Sequence, residues 1–227
     1  MSVTSDREIV AYTVEVTRDH LEEALQFLEK SVTGQVFKPW EIQDNNDRVR
    51  IDLANVSDQV KAIELLHRAA YRTGLGNSIF CQKHKIGKLS SETLQHFYEN
   101  NFTSSRGAVS GVNVDHQLLV GFAQSLQIAS GEGARGESKY HSGGDNRKEK
   151  GGRAASIAVA TSGGSWSSLQ EGVAFNVLQR AAGVAPNTKR GTSAGVLVKN
   201  IQAVAPNSAA STLNACYSDS GLFGFIV

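Results

Sequence analysis

Val49, Leu53, Val56, Val60, Ile63, Leu66 and Ala70 recur in steps of three and four, the spacing that gathers side chains into one stripe of an α-helix. The spacing predicts one long amphipathic helix over 49–70. Such a stripe has to rest on another layer, most naturally a sheet, because domains are built from packed layers around a shared core. Pro39 suits the first turn of a helix leading into this region, and Gly74 with Gly76 is expected to end it.

The rest of the chain supplies the other layer. Residues 9–16 alternate well enough for a strand, and Arg18-Asp19 opens a helix with Leu21, Leu25, Leu28 and Val32 inward and Glu22, Glu23 and Glu29 outward. "LSSETLQHFYENNF" predicts a serine-capped helix with Leu94 and Phe97 inward, "RGAVSGVNV" a strand, and Asp115 the cap of a helix bearing Leu118, Phe122 and Leu126. Large apolar side chains then almost vanish in "ASGEGARGESKYHSGGDNRKEKGG", residues 129–152, a composition suited to a linker or exposed loops. A domain boundary is expected there. Beyond it, "AASIAVAT" predicts a buried-type strand, "SLQEGVAFNVLQRAAG" a helix stopped by Gly183, and "TSAGVLVKNIQAV" a helix stopped before Pro206. "ACYSDSGLFGFIV" closes the chain as a hairpin whose apolar last strand is expected to continue past Val227.

The 23 Lys and Arg nearly balance the 22 Asp and Glu, so no global field favours nucleic acid or an anionic surface. No apolar run approaches the roughly 20 residues of a membrane-spanning helix. Cys81 and Cys216 are far apart and read as free thiols.

Motifs that could carry chemistry each meet a plainer explanation. None of the six histidines, His20, His67, His84, His96, His116 and His141, falls in HExxH or HxxEH. Glu64 and His67 stand at i, i+3, a spacing used in some carboxylate–histidine metal sites, yet a lone pair is more often a polar helix face. "GEGARG" at 131–136 fits GxGxxG but lacks the strand before and the helix after that a dinucleotide site needs. Ser218-Asp219-Ser220 is turn chemistry, with no G-x-S-x-G elbow. "NRKEKGGR" and "NTKRG" lack interleaved aromatics and read as solvated loops. From residue chemistry alone, the catalytic, cofactor and metal site sets are all empty.

Six stretches carry a resemblance in collinear order: "VTSDREIVAYTVEVTRDHLEEALQFL", "LHRAAYRTGLGNSIFC", "IGKLSSETLQHFYENNFTSSR", "KYHSGGDNRKE", "VLQRAAG…PNTKRG" and "CYSDSGLFGF". Together they resemble the core protein 2 family of mitochondrial ubiquinol–cytochrome c reductase (complex III), within the pitrilysin-like superfamily that also holds the mitochondrial processing peptidase. The resemblance implies an α+β, processing-peptidase-like fold, with antiparallel-rich sheets and helices packed on one face. It implies two incomplete domains: 1–128 the later part of the first, 129–144 a glycine-rich linker, and 145–227 the earlier part of the second. It further implies family sequence upstream of Met1 and downstream of Val227.

Active members of the superfamily bind zinc through HxxEH and a downstream glutamate. Here the downstream helix would be the Pro39 to Tyr71 region, whose acids include Asp44, Asp47, Asp52 and Asp58, and the histidine pair is missing. The implied role is therefore a structural and assembly subunit without enzyme activity, metal or cofactor. It would be peripheral on the matrix side of the inner membrane, beside a core protein 1-like subunit and the other subunits of complex III. A second implied role is the non-catalytic, substrate-handling partner of a processing peptidase, with "GEGARGESKYHSGG" as the substrate loop.

Overall fold

The computed structural model describes residues 1–133, 136, 138–149, 151–152, 154–183, 195–206 and 208–227. They form two compact units, and each is discontinuous in sequence: Met1–Ala54 with Phe80–Arg135, and Asn55–Ile79 with Gly136–Val227.

The first unit begins with an antiparallel hairpin, β1 (Ser2–Ser5) and β2 (Val10–Thr13), in register from Ser2 opposite Thr13 to Ser5 opposite Val10. The expected strand over 9–16 is shorter than its alternation and has a partner, "SVTS", that no apolar pattern announces. A short turn at Arg18–His20 leads into α1 (Leu21–Thr33), where Leu21, Leu25, Leu28 and Val32 are half-buried and Glu22 and Glu23 exposed. Glu29 is half-buried rather than fully outward. Helix α2 (Pro39–Asn55) opens on its proline as expected.

Helix α4 (Ser91–Asn101) is capped by Ser90, whose hydroxyl accepts from the Thr93 N–H at 3.2 Å. Leu94 is half-buried as expected, but the second inward residue is Tyr98 and not Phe97, which is 60% exposed. The Tyr98 hydroxyl donates to the Val32 carbonyl at 2.6 Å, and its ring meets Phe37 edge-on and Phe102 at 4.8 Å. Burial, with the nearby Tyr12 hydroxyl contributing less, raises the Tyr98 pKa. Residues 106–114 are not a strand. Ser104–Arg106 is a tight helical turn, Val112 is 94% exposed, and Asn113 at φ 61° breaks the extended run. Helix α5 (His116–Ser125) starts where expected, with the Asp115 carboxylate accepting from the Leu118 N–H at 3.1 Å.

The second unit corrects the opening expectation. The 49–70 stripe is not one helix: α3 (Asp58–Tyr71) is separate from α2. At the break Ser57 is extended (φ −65°, ψ 156°) and its hydroxyl accepts from the Val60 N–H at 3.4 Å, an N-cap that competes with helix continuation. Helix α3 also stops before the glycines, because Arg72 turns to φ 62°.

Strands β3 (Ala158–Ser162), β4 (Ser211–Cys216) and β5 (Gly221–Ile226) form an antiparallel sheet in the order β3-β5-β4. The closing hairpin is as expected. Strand β3 is half open instead of a buried type, with Val159 at 49% exposure on the sheet edge. Helix α6 (Leu169–Ala182) ends at Gly183, whose φ of 116° suits glycine, and α7 (Val196–Val204) follows.

Strand alternation puts Leu222, Ala215 and Ala160 on one face and Phe223 with Asn214 on the other. Phe175 of α6 stacks on Phe223 at 5.2 Å, and Asn214 donates to the Asn176 side chain at 3.2 Å. Helix α3 takes the Leu222 face, where Ala70, Tyr71, Leu75, Tyr217 and Leu222 form the buried cluster and Leu66, Tyr140, Ala160 and Ala215 pack around it. The expected one-sided helix layer thus gains a second side from a helix far upstream in sequence. Neither helix periodicity nor strand alternation encodes which distant partner covers a face.

Candidate functional site

A buried polar contact between segments far apart in sequence lies in this cluster. His67, near the end of α3, is 2% exposed, and Tyr217 begins the turn that joins β4 to β5. The His67 Nδ1 lies 2.8 Å from the Ile63 carbonyl and Nε2 lies 2.6 Å from the Tyr217 hydroxyl. A carbonyl only accepts, so Nδ1 carries the proton. In the neutral ring Nε2 is then the acceptor, and the Tyr217 O–H donates to it.

The turn is tied down further. The Tyr217 N–H donates to the Ser220 carbonyl at 2.8 Å, the Ser220 hydroxyl donates to Tyr71 Oη at 3.2 Å, and Asp219 accepts from the Ser138 N–H at 2.9 Å. Tyr71 meets Tyr217 and Tyr140 edge-on at 6.2 and 6.4 Å, a favoured arrangement of aromatic quadrupoles. Ser218-Asp219-Ser220 is therefore a turn that holds the sheet to α3, as its composition suggested.

This arrangement withdraws His67 from metal or base chemistry, because both ring nitrogens are engaged inside the core. Glu64 does not join it: its carboxylate accepts from the Ile79 N–H at 3.2 Å. Asp44, Asp47, Asp52 and Asp58 are all exposed, with Asp47 2.5 Å from Arg50 and Asp58 3.4 Å from Lys61. His20 pairs with Glu23 at 3.1 Å and His96 with Asn100 at 2.7 Å, while the His141 backbone N–H donates to the Ala70 carbonyl. Among the described residues no three His, Cys, Asp or Glu side chains cluster as metal ligands would.

The glycine-rich stretch is only partly a loop on its own. Tyr140 packs on the core, and the 138–141 backbone bonds to Asp219 and Ala70. Of "GEGARG", residues 134 and 135 lie outside the described residues, as does all of "NTKRG". In "NRKEKGGR", Arg147 holds Asp145 through two nitrogens at 2.8 and 3.1 Å, and that hydrogen bond raises the guanidinium pKa further. Cys81 and Cys216 are free and half-buried, and burial pushes the Cys216 thiol up, away from nucleophilic character. The His67–Tyr217 pair was absent from the sequence reading, since its members stand 150 residues apart.

Comparison with known proteins adds what the geometry lacks. Residues 1–83 match the family Insulinase (Peptidase family M16). Over 99% of its length the chain is 38% identical to the cytochrome b-c1 complex subunit 2, mitochondrial, of Rattus norvegicus, covering 50% of that protein. Its first 83 residues are thus similar to the M16 peptidases. It is also 24% identical over 98% of its length to a probable mitochondrial-processing peptidase subunit alpha-1 of Arabidopsis thaliana, covering 46% of it. A chain of Complex III2 from Candida albicans, Inz-5 bound, superposes with a TM-score of 0.75 at 18% identity, over 99% of this chain and 56% of that one, which shows a shared fold. The chain spans about half the length of the curated relatives it matches. Among the described residues no helix is long and apolar enough to cross a membrane.

Proposed function

We propose that this chain serves as a non-catalytic, structural subunit of the mitochondrial cytochrome b-c1 complex (complex III). The observation that carries this reading is the 38% identity to subunit 2, spread over nearly the whole chain. The chemistry is compatible: His67 and Glu64 are spent on holding the fold, and the acids of α2 face solvent. The role is then to present surfaces to other subunits. A core protein 1-like, processing-peptidase-like subunit is the proposed neighbour, and the proposed position is peripheral, on the matrix side of the inner membrane.

By descent, we assign 1–128 to the later part of a first peptidase-like domain, 129–144 to the linker and 145–227 to the earlier part of a second. In this assignment α3 belongs to the first domain and packs with strands of the second. No catalytic, cofactor or metal residue is assigned.

The test is co-migration of tagged chain with complex III on a native gel, with loss of assembled complex on depletion. A chain that never enters the complex and leaves its amount unchanged refutes the reading. The similarity to a processing-peptidase alpha subunit favours a second reading, substrate handling beside a zinc-bearing partner. That reading requires presequence cleavage to depend on this chain when the partner is present.

A further inference from the structure

A shallow, open cleft of about 300 Å³ lies beside the end of α3, walled by Arg68, Arg72 and the backbone of Gly143 and Gly144. Its floor is close-packed: a Cβ on Gly144 would stand 2.3 Å from the Ala69 carbonyl oxygen, so only glycine lets this segment approach the helix. Arg68 and Arg72 are exposed, and among the described residues neither has an ion-pair partner. The acid in the cleft, Asp145, is occupied by Arg147. The cleft therefore carries two guanidiniums against one carboxylate, which Arg147 already holds.

Favourable charge at the C-terminal end of α3 accounts for Arg68. It acts on Arg72 as well, but does not account for the backbone conformation of that residue. That residue has φ 62° and ψ −44°, with the Thr73 N–H bonded back to the Tyr71 carbonyl at 2.6 Å. L-residues avoid this conformation and glycine takes it readily. The position nonetheless carries a guanidinium, aimed at the same cleft as the one four residues earlier.

We propose that Arg68 and Arg72 form a docking socket for an acidic peptide segment of a partner protein. Guanidinium forks match carboxylates in two-pronged hydrogen bonds. Both guanidiniums line the one cleft, Arg68 from the last turn of α3 and Arg72 from just beyond its end. Two carboxylates of one acidic segment can thus be held at once. The cleft is too open to enclose a small molecule, which argues against a nucleotide or metabolite as occupant. The socket stands on these residues alone and does not depend on membership of any complex.

The experiment titrates the full 227-residue chain, in low-salt buffer at neutral pH, with an acetylated and amidated triglutamate peptide and separately with inorganic phosphate, read by calorimetry. Saturable triglutamate binding is expected, weakened about tenfold by Arg68→Gln and by Arg72→Gly, and abolished by both together. Arg72→Gly removes the guanidinium while suiting the backbone, so its circular dichroism should stay native. If it unfolds, Arg68→Gln, an exposed substitution, decides alone. Equal peptide binding by the wild type and Arg68→Gln overturns the socket. Phosphate binding that the peptide cannot displace overturns the acidic-segment occupant in favour of a small-oxyanion site.

Discussion

The two units differ in what holds them together. Among the described residues every buried hydrophobic side chain (Ala70, Tyr71, Leu75, Val198, Ala210, Tyr217, Leu222 and Ile226) lies in the second. In the first, the apolar stripe of α1 is half-covered, and Phe27, Trp40, Ile51 and Phe97 are more than half exposed. The first unit owes its elements to local devices: the Pro39 start, the Ser90 and Asp115 caps, and the periodicity of α1. The second unit owes its coherence to contacts between residues far apart, above all α3 against β5 and the turn before it. Local devices are each worth about 1 kcal/mol, whereas burying one large apolar side chain is worth about 1.5–3 kcal/mol. Helices can therefore be well defined where little core exists.

The comparison breaks most sharply at Leu222, which is fully buried. Leu222→Ala should destabilise the second unit by about 2–5 kcal/mol, while Phe97→Ala in the first should change stability by about 0.5 kcal/mol or less. Urea titration of both variants measures this, and equal losses would erase the distinction. Hydrogen exchange read by mass spectrometry gives the same contrast without mutation. Amides of α3 and β5 should be protected well beyond those of α1 and α2, with protection stepping down across Ser57.

Next in size is Tyr217→Phe, which removes the donor to His67 Nε2 and leaves a buried acceptor unpaired, a cost of about 1–3 kcal/mol. A negligible loss would mean that the tyrosine hydroxyl does not clasp the helix. Ser57→Ala should cost about 1 kcal/mol by removing the α3 cap, and its exchange pattern should loosen at the first turn of α3 and not in α2.

The smallest expected effect is at alkaline pH. The Cys216 thiol and the Tyr98 hydroxyl both have folded-state pKa values raised by burial. Each binds its proton more tightly folded than unfolded, so stability is intact below the ordinary thiol and phenol values and declines as pH rises through them. Cys216→Ser should flatten the thiol part of that decline, and a decline that persists unchanged assigns it elsewhere.

Much of this was legible in the residues. The caps at Ser90 and Asp115, the Gly183 stop and the β4–β5 hairpin are short-range patterns, and each is where its residues put it. So was the absence of any HExxH or HxxEH pair in the chain. The strand β1 was not legible, because "SVTS" carries no alternation until β2 pairs with it. The expected strand over 106–114 failed for the converse reason: valines alternating with small residues suit a strand, but Asn113 turns the backbone before an extended run can pair.

Local sequence determined where most of the helices begin and end, because caps, glycine stops and periodicity act over a few residues. It also set the motifs available, a chain with neither HExxH nor HxxEH. Tertiary structure alone decided that α3 covers the Leu222 face of a sheet whose strands begin only at Ala158, and that His67 closes on Tyr217. Burial is a many-body property: an apolar stripe states that a partner is required and leaves open which distant segment will be that partner.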